Sequence, residues 1–259
     1  KTLFKKNNKK LVTFTTGGDP DLKTSIKILK TILNNKIDII EIGMPFSDPM
    51  ADGPTIQLSS NRSIKNGTNL NDIFTITAKI RALNQEVPII LMGYYNVIHY
   101  FGISKFVDKC KKNDVDGLII VDLQPEEDSE LFNELEKNKI SLIRLITPTT
   151  NESRLKLILN NASGFLYYVT ITGITGQHSA NLKELEKSIK LIKLHSNLPI
   201  MAGFGIKDAN DVKEICSLAD GAVVGSSIVK IIEKNLNNKD KMLKLINVFA
   251  KKLKSGTKI

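Results

Sequence analysis

Eight short apolar runs, alternating with longer amphipathic stretches, predict an α/β chain folded as a parallel (β/α)8 barrel of the TIM type. Two further observations favour it. The 259 residues match the roughly 250 that such barrels take, and no GxGxxG follows the first run as it would in a dinucleotide-binding sheet. A doubly wound open sheet shares the alternation and is the runner-up. No linker rich in Pro, Gly or Ser divides the chain, so residues 1–259 read as one domain.

The apolar runs are Leu11–Thr16, Ile37–Gly43, Pro88–Gly93, Gly117–Asp122, Ser141–Thr147, Gly164–Thr170, Leu198–Ala202 and Gly221–Gly225. Each has the length and β-branched content of a strand buried on both faces. Lys23–Asn34 follows the first, with Ile26, Ile28, Leu29, Ile32 and Leu33 near the helical period. Asn71–Asn84, Ile103–Asn113, Glu127–Asn138, Asn151–Asn160, Leu182–His195, Lys207–Leu218 and Lys239–Lys254 continue the helical series. Two connections exceed what the alternation needs, Met44–Asn69 after the second strand and Ile171–Asn181 after the sixth. Loops that follow strands form the catalytic face of a barrel, so both are candidate site segments.

Composition excludes several classes. Hydrophobic residues make up 41% and charged residues 25%, the balance of a globular protein. No apolar run nears the about 18 residues that span a bilayer. The segment Lys1–Lys10 is basic without a signal-peptide core, which predicts a cytoplasmic protein. The net charge of +10 invites a nucleic-acid reading, but arginine occurs only at positions 62, 81, 144 and 154 and the lysines are spread over nearly every predicted helix. Cys110 and Cys216 read as reduced, packed thiols. His99, His178 and His195 lack ligand spacing, no serine sits in a nucleophile elbow, and no metal is expected.

Glu41 is the first candidate for chemistry. Alternation places Ile37, Ile39 and Glu41 on one face, with Glu41 near the C-terminal end of its strand, at the mouth of a barrel. A carboxyl among isoleucines is costly to ionise, so its pKa should rise from about 4.3 toward neutrality. That suits a group that gives and takes a proton; a glutamate tied to a lysine or a backbone N–H would be a structural alternative. Asp48 and Asp52 lie in the next loop, which is dense in Pro, Gly and Asp. A plain turn would have that composition, but the loop can return its acids over the same pocket. Gly203-Phe-Gly205 and Gly225-Ser-Ser227 follow the last two strands, where barrels commonly bind phosphate on backbone N–H groups and a helix N-terminus. Gly176 can add a donor from the loop after strand six, and no Lys or Arg is required.

These segments together resemble the tryptophan synthase alpha chain family. Glu-Ile-Gly-Met-Pro-Phe-Ser-Asp-Pro-Met-Ala-Asp-Gly-Pro-Thr-Ile-Gln over 41–57 is the most specific match. Phe-Thr-Thr-Gly-Gly-Asp-Pro at 14–20, Met-Gly-Tyr-Tyr-Asn at 92–96 and Asp-Leu-Gln-Pro-Glu-Glu at 122–127 follow in order. So do Thr-Gly-Ile-Thr-Gly at 172–176, Ala-Gly-Phe-Gly-Ile at 202–206 and Gly-Ser-Ser-Ile-Val-Lys at 225–230.

The resemblance implies a lyase of tryptophan biosynthesis that cleaves indole-3-glycerol phosphate to indole and D-glyceraldehyde 3-phosphate by a retro-aldol step. It makes Glu41 the acid that protonates indole C3 and Asp52 the anion that holds the indole N–H. It gives Gly176, Gly205, Gly225 and Ser226 to the phosphate, and Phe14, Met92, Ile119, Leu145, Tyr167 and Phe204 to the indole. Thr175 falls in a mobile loop that closes near the aspartate. Pro45, Ser47, Asp48 and Asn96 fall where the family meets a beta chain in an α2β2 complex. Pyridoxal phosphate belongs to that beta chain, and this chain is expected to carry no cofactor. Which group removes the glycerol hydroxyl proton stays open. Two departures are visible: Gly-Gln-His-Ser-Ala-Asn at 176–181 lacks the commoner arginine, and Asn96-Val97 replaces Asn-Pro.

Competing readings meet obstacles. An indole-glycerol-phosphate synthase or a sugar-phosphate isomerase needs a lysine at a strand end, and Ile37–Gly43 and Pro88–Gly93 contain none. A subunit kept only to activate the beta chain would tolerate loss of Glu41 or Asp52, and both are present.

Overall fold

The computed structural model describes residues 3–5, 8–169, 178–203 and 205–258, with the backbone alone at 178–181. Among them lie nine strand segments: β1 Lys10–Thr16, β2 Ile39–Gly43, β3 Ile89–Gly93, β4 Gly117–Ile120, β5 Ser141–Leu142, β6 Arg144–Ile146, β7 Leu166–Val169, β8 Ile200–Gly203 and β9 Gly221–Val224. All pair in parallel, in the order β5-β4-β3-β2-β1-β9-β8-β7-β6. The two ends of that order are halves of one predicted strand, Ser141–Thr147, interrupted at Ile143. Its first half pairs with β4 and its second with β7. The Ile143 N–H still donates to the Leu118 carbonyl, at 2.9 Å. The sheet is therefore a ring of eight staves, and the barrel expectation holds over the open sheet.

Closure gives every strand an inner and an outer face. Val12, Ile39, Ile90, Ile119, Met201 and Val223 pack together inside the ring. Leu11, Ile40, Ile42, Leu91, Leu118 and Ala222 point outward into a second core shared with the helices. Below the inner core, Phe4 of the short turn Leu3–Lys5 meets Phe165, ring centres 6.3 Å apart. Ile37 differs from expectation. It lies two residues before β2, where the pleat has not begun, and it packs in the outer core.

The predicted helices form within one to four residues of their expected ends. The helix Leu22–Leu33 starts on Asp21, whose carboxylate accepts from the Thr24 N–H at 2.8 Å. Leu70–Leu83 starts on a capping box of Asn69 and Asp72. Two helices lie where loops were expected, Pro54–Lys65 and Tyr95–Phe101. The first escaped notice because it buries Ser59, Ser60 and Ser63, so its inner face has no apolar period.

That serine face fastens the helix to the barrel mouth. Thr16 and Ser59 share a hydroxyl hydrogen bond of 2.5 Å, and the Ser63 hydroxyl donates to the Gly17 carbonyl at 2.6 Å. Ser60 accepts from the Phe46 N–H and donates to the Phe46 carbonyl, each at 2.8 Å. Arg62 adds a two-pronged bond to the buried Asp19, 2.8 Å on each arm.

The interrupted stave has its own anchor. Arg144 of β6 turns outward and is buried against Asp128, which also accepts from the Asn161 amide at 2.9 Å. Removing one partner of a buried pair strands the other charge. Asp128→Ala is therefore expected to lower stability by about 3 kcal/mol in urea unfolding. An unchanged midpoint would mean that the pair does not secure the stave.

Candidate active site

Glu41 lies on β2 between Phe14 of β1 and Ile90 of β3 and projects into the ring. It is 1% exposed, and neither carboxyl oxygen has a hydrogen-bond partner among the described residues. Burial, and then the negative charge of Asp52, push its pKa from an ordinary 4.5 up to about 8. The group is a neutral acid at pH 7. Among the described residues no lysine or backbone N–H pairs with it.

Asp52 sits in the loop between β2 and the helix Pro54–Lys65, half buried. The Tyr94 hydroxyl donates to its Oδ2 at 2.9 Å. Its pKa lies above the ordinary aspartate value because burial raises it, and the Tyr94 bond offsets only part of that rise. The backbone of Asp52 is tied at both ends: its N–H donates to the Pro49 carbonyl at 3.0 Å and its carbonyl accepts from the Gln57 side chain at 2.8 Å. Asp48, in the same loop, is exposed and accepts from the Ser47 hydroxyl. The fold thus separates the loop's acids: Asp52 turns to the cleft and Asp48 to the rim.

The cleft above β1, β2 and β3 has an empty volume of about 310 Å³ and is lined by Phe14, Met92, Asp52, Tyr94 and Phe46 among others. Of the residues expected around an aromatic ligand, Phe14 and Met92 line it directly. Ile119, Leu145 and Tyr167 belong to the inner barrel layer beside it. Burial, and after it the carboxyls of Glu41 and Asp52, push the Tyr167 hydroxyl well above the ordinary phenol range. Phe204 lies outside the described residues.

The Phe14 ring is wedged between two glycines. A Cβ on Gly43 would come within 2.6 Å of the ring, and one on Gly225 within 3.1 Å of the Phe14 Cβ. Glycine at both positions lets the ring lie flat against the strand tops. Gly225 also stands at the N-cap of the helix Ser226–Glu233, with no side chain capping it. The Ile228 and Val229 N–H groups donate to the Gly225 carbonyl, at 2.9 and 3.1 Å; a helix start of this kind suits an anion. Ser227 ties this start to the preceding loop by donating to the Ile206 carbonyl. Gly205 in that loop has φ 45°, a left-handed conformation that glycine adopts without strain. Gly205 and the pair Gly225 and Ser226 thus lie on two segments joined by the Ser227 bond; Gly176 and Thr175 lie outside the described residues.

Of the expected partner contacts, Ser47, Asp48 and Asn96 are exposed and Pro45 is half buried, on the loops that follow β2 and β3. Tyr94 is a site residue that the sequence pattern does not single out, although it lies in the Met-Gly-Tyr-Tyr-Asn segment at 92–96. Its position directly after a barrel strand was the available signal. Among the described residues no cluster of His, Cys, Asp and Glu could hold a metal, and no helix is long and apolar enough to cross a membrane.

A parallel barrel with a neutral buried acid and an anchored second acid at its mouth has the form of an acid–base enzyme. The comparisons agree. The family model for the tryptophan synthase alpha chain matches residues 1–258. The tryptophan synthase alpha chain of Geotalea uraniireducens (strain Rf4) is 43% identical over 256 residues, covering 99% of this chain and 95% of that one. A crystal structure of tryptophan synthase subunit alpha from Legionella pneumophila str. Paris superposes with a TM-score of 0.89 at 31% identity, covering 96% of this chain and 92% of that one. A tryptophan synthase structure from Mycobacterium tuberculosis gives 0.90 at 25% identity, over 100% of this chain and 97% of that one. The chain belongs to the tryptophan synthase alpha chain family.

Two outcomes follow from the site's construction. Gly43→Ala should displace the Phe14 ring and cost about 1–3 kcal/mol of stability in urea unfolding; an unshifted midpoint would show the contact to be slack. Glu41 ionises near 4.5 when unfolded but near 8 in the fold, so folding takes up a proton between those values. Stability owed to this group falls as pH rises through that window. Glu41→Gln removes the effect, and its melting temperature should gain on the parent from pH 5 to pH 8; parallel curves would contradict a neutral Glu41.

Proposed function

We propose that Glu41 and Asp52 divide the work of the alpha reaction between them. That reaction is the cleavage of indole-3-glycerol phosphate to indole and D-glyceraldehyde 3-phosphate in tryptophan biosynthesis, and this chain is its lyase subunit. The observation that carries the division is the contrast between the two acids: one buried without a partner, the other anchored by a phenol.

Indole is a poor leaving group as a carbanion. Neutral Glu41 gives its proton to C3, forming a C–H bond and turning the ring into a cationic electron sink. The positive charge gathers at the ring nitrogen, where the Asp52 carboxylate accepts the N–H hydrogen bond and stabilises it. The C3 side-chain bond then breaks, its electrons return to the ring, and the adjacent hydroxyl loses its proton as the aldehyde forms. Once ionised, Glu41 has no hydrogen-bond donor among the described residues, which makes it a better base for that proton than an ordinary carboxylate. The phosphate rests on the N–H groups around Gly205, Gly225 and Ser226, with Gly176 as a further donor from the mobile loop that bears Thr175. Phe14, Met92, Ile119, Leu145, Tyr167 and Phe204 enclose the indole.

The partner is the beta chain, in an α2β2 complex formed through Pro45, Ser47, Asp48 and Asn96. Pyridoxal phosphate serves the beta chain; the alpha chain works without a cofactor, as one catalytic domain in the cytoplasm. A chelator should leave indole release unchanged, and inactivation would point to a metal.

Glu41→Gln is expected to lower kcat by about 10³-fold or more while substrate still binds. Asp52→Asn should lower it by about 10²–10³-fold. Indole release from purified protein, with and without a beta chain, measures both. Full turnover in the first variant removes Glu41 from the mechanism; full turnover in the second assigns Asp52 a structural role.

A further inference from the structure

We propose that Tyr94 is the positioning residue of the site: its hydroxyl bridges the Ala51 N–H and the Asp52 carboxylate and so fixes the anion at the cleft. The inference rests on the reading of Asp52 as the group that faces the indole nitrogen.

Tyr94 is the first residue after β3 and is 2% exposed. Its hydroxyl accepts from the Ala51 N–H at 3.0 Å and donates to Asp52 Oδ2 at 2.9 Å. The polarity of this bridge is forced. An amide N–H can only donate, so the phenol's one proton is free for the carboxylate, which accepts it. The bridge therefore matches an ionised Asp52. The phenol itself stays protonated, because burial and the negative charge of Asp52 push its pKa well above the ordinary value.

The ring is held as firmly as the hydroxyl. It packs on Phe46, ring centres 5.2 Å apart, and Phe46 is pinned through its N–H and carbonyl by Ser60. The Met44 N–H donates to the Met92 carbonyl at 2.7 Å, which keeps the loop entry beside the end of β3. The loop 44–52 thus hangs between the serine-faced helix and Tyr94, and the catalytic carboxylate lies at the Tyr94 end.

The titratable groups that act on Asp52 and its bridge are Glu41, Tyr94 and Tyr167, with Asp122 acting on Tyr94. None of these is a cation. Among the described residues, hydrogen bonding from Tyr94 favours the ionised form against burial. Losing it should raise the pH at which Asp52 ionises.

The test is Tyr94→Phe, which keeps the ring on Phe46 and removes the bridge. Substrate KM should stay within about threefold while kcat falls about tenfold or more. The acid limb of kcat/KM should move up by about one pH unit. In parallel, the Asp52 carboxyl carbon, followed by NMR titration of the free protein, should move the same way. A lower melting temperature with an unmoved acid limb and an unmoved Asp52 titration would reduce Tyr94 to packing and overturn the proposal. If the parent released no indole, the lyase reading would fall, and the NMR titration would still decide the bridge. Should the phenylalanine variant not fold, 3-fluorotyrosine at position 94 supplies a stronger donor. The Asp52 titration should then move down, and no movement would overturn the proposal equally.

Discussion

The site depends on one constraint: a closed parallel ring sends alternate residues of each strand into an interior that water does not reach. Glu41 occupies such an inner position, level with Phe14 and Ile90. The ring surrounds it with aliphatic side chains and offers its oxygens no donor among the described residues. A carboxyl so placed keeps its proton at neutral pH, and that makes it an acid rather than an ion-pair partner. Opening the ring would admit water and return it to an ordinary glutamate. The Arg144–Asp128 pair beside the interrupted stave is therefore tied, at a distance, to the chemistry at the mouth.

The second acid is governed by a different layer. Asp52 belongs to a loop, and loops hold a side chain in place only where their backbone is fastened. Here the fastening is polar. Serines on one helix face bind the backbone of β1's exit and of Phe46, and Tyr94 takes the loop's other end. The two acids thus have unlike environments: a dry one for Glu41 and a hydrogen-bonded one for Asp52. The like charge of Asp52 in turn helps to keep Glu41 neutral, so the two environments reinforce each other.

Phe14 joins the two ends of the cleft. Its ring touches Gly43, at the end of the strand that carries Glu41, and its base touches Gly225, at the start of the helix Ser226–Glu233. The excess of lysine remains a property of the helices around the ring.

The sequence by itself determined the barrel, because eight apolar runs at regular spacing have few other solutions and strand alternation is local. It also determined Glu41 as the perturbed acid, since a carboxylate inside an isoleucine-rich strand has no cheap exposed alternative. The glycine turns of the last two strands were legible for the same local reason. The helix Pro54–Lys65 was not legible, because its buried face is serine and carries no hydrophobic period. Which loop acid enters the cleft, the break of the fifth stave at Ile143 and the part played by Tyr94 were decided only by tertiary structure. Each depends on hydrogen bonds between residues some 25 to 43 positions apart, and no pattern along the chain records such pairs.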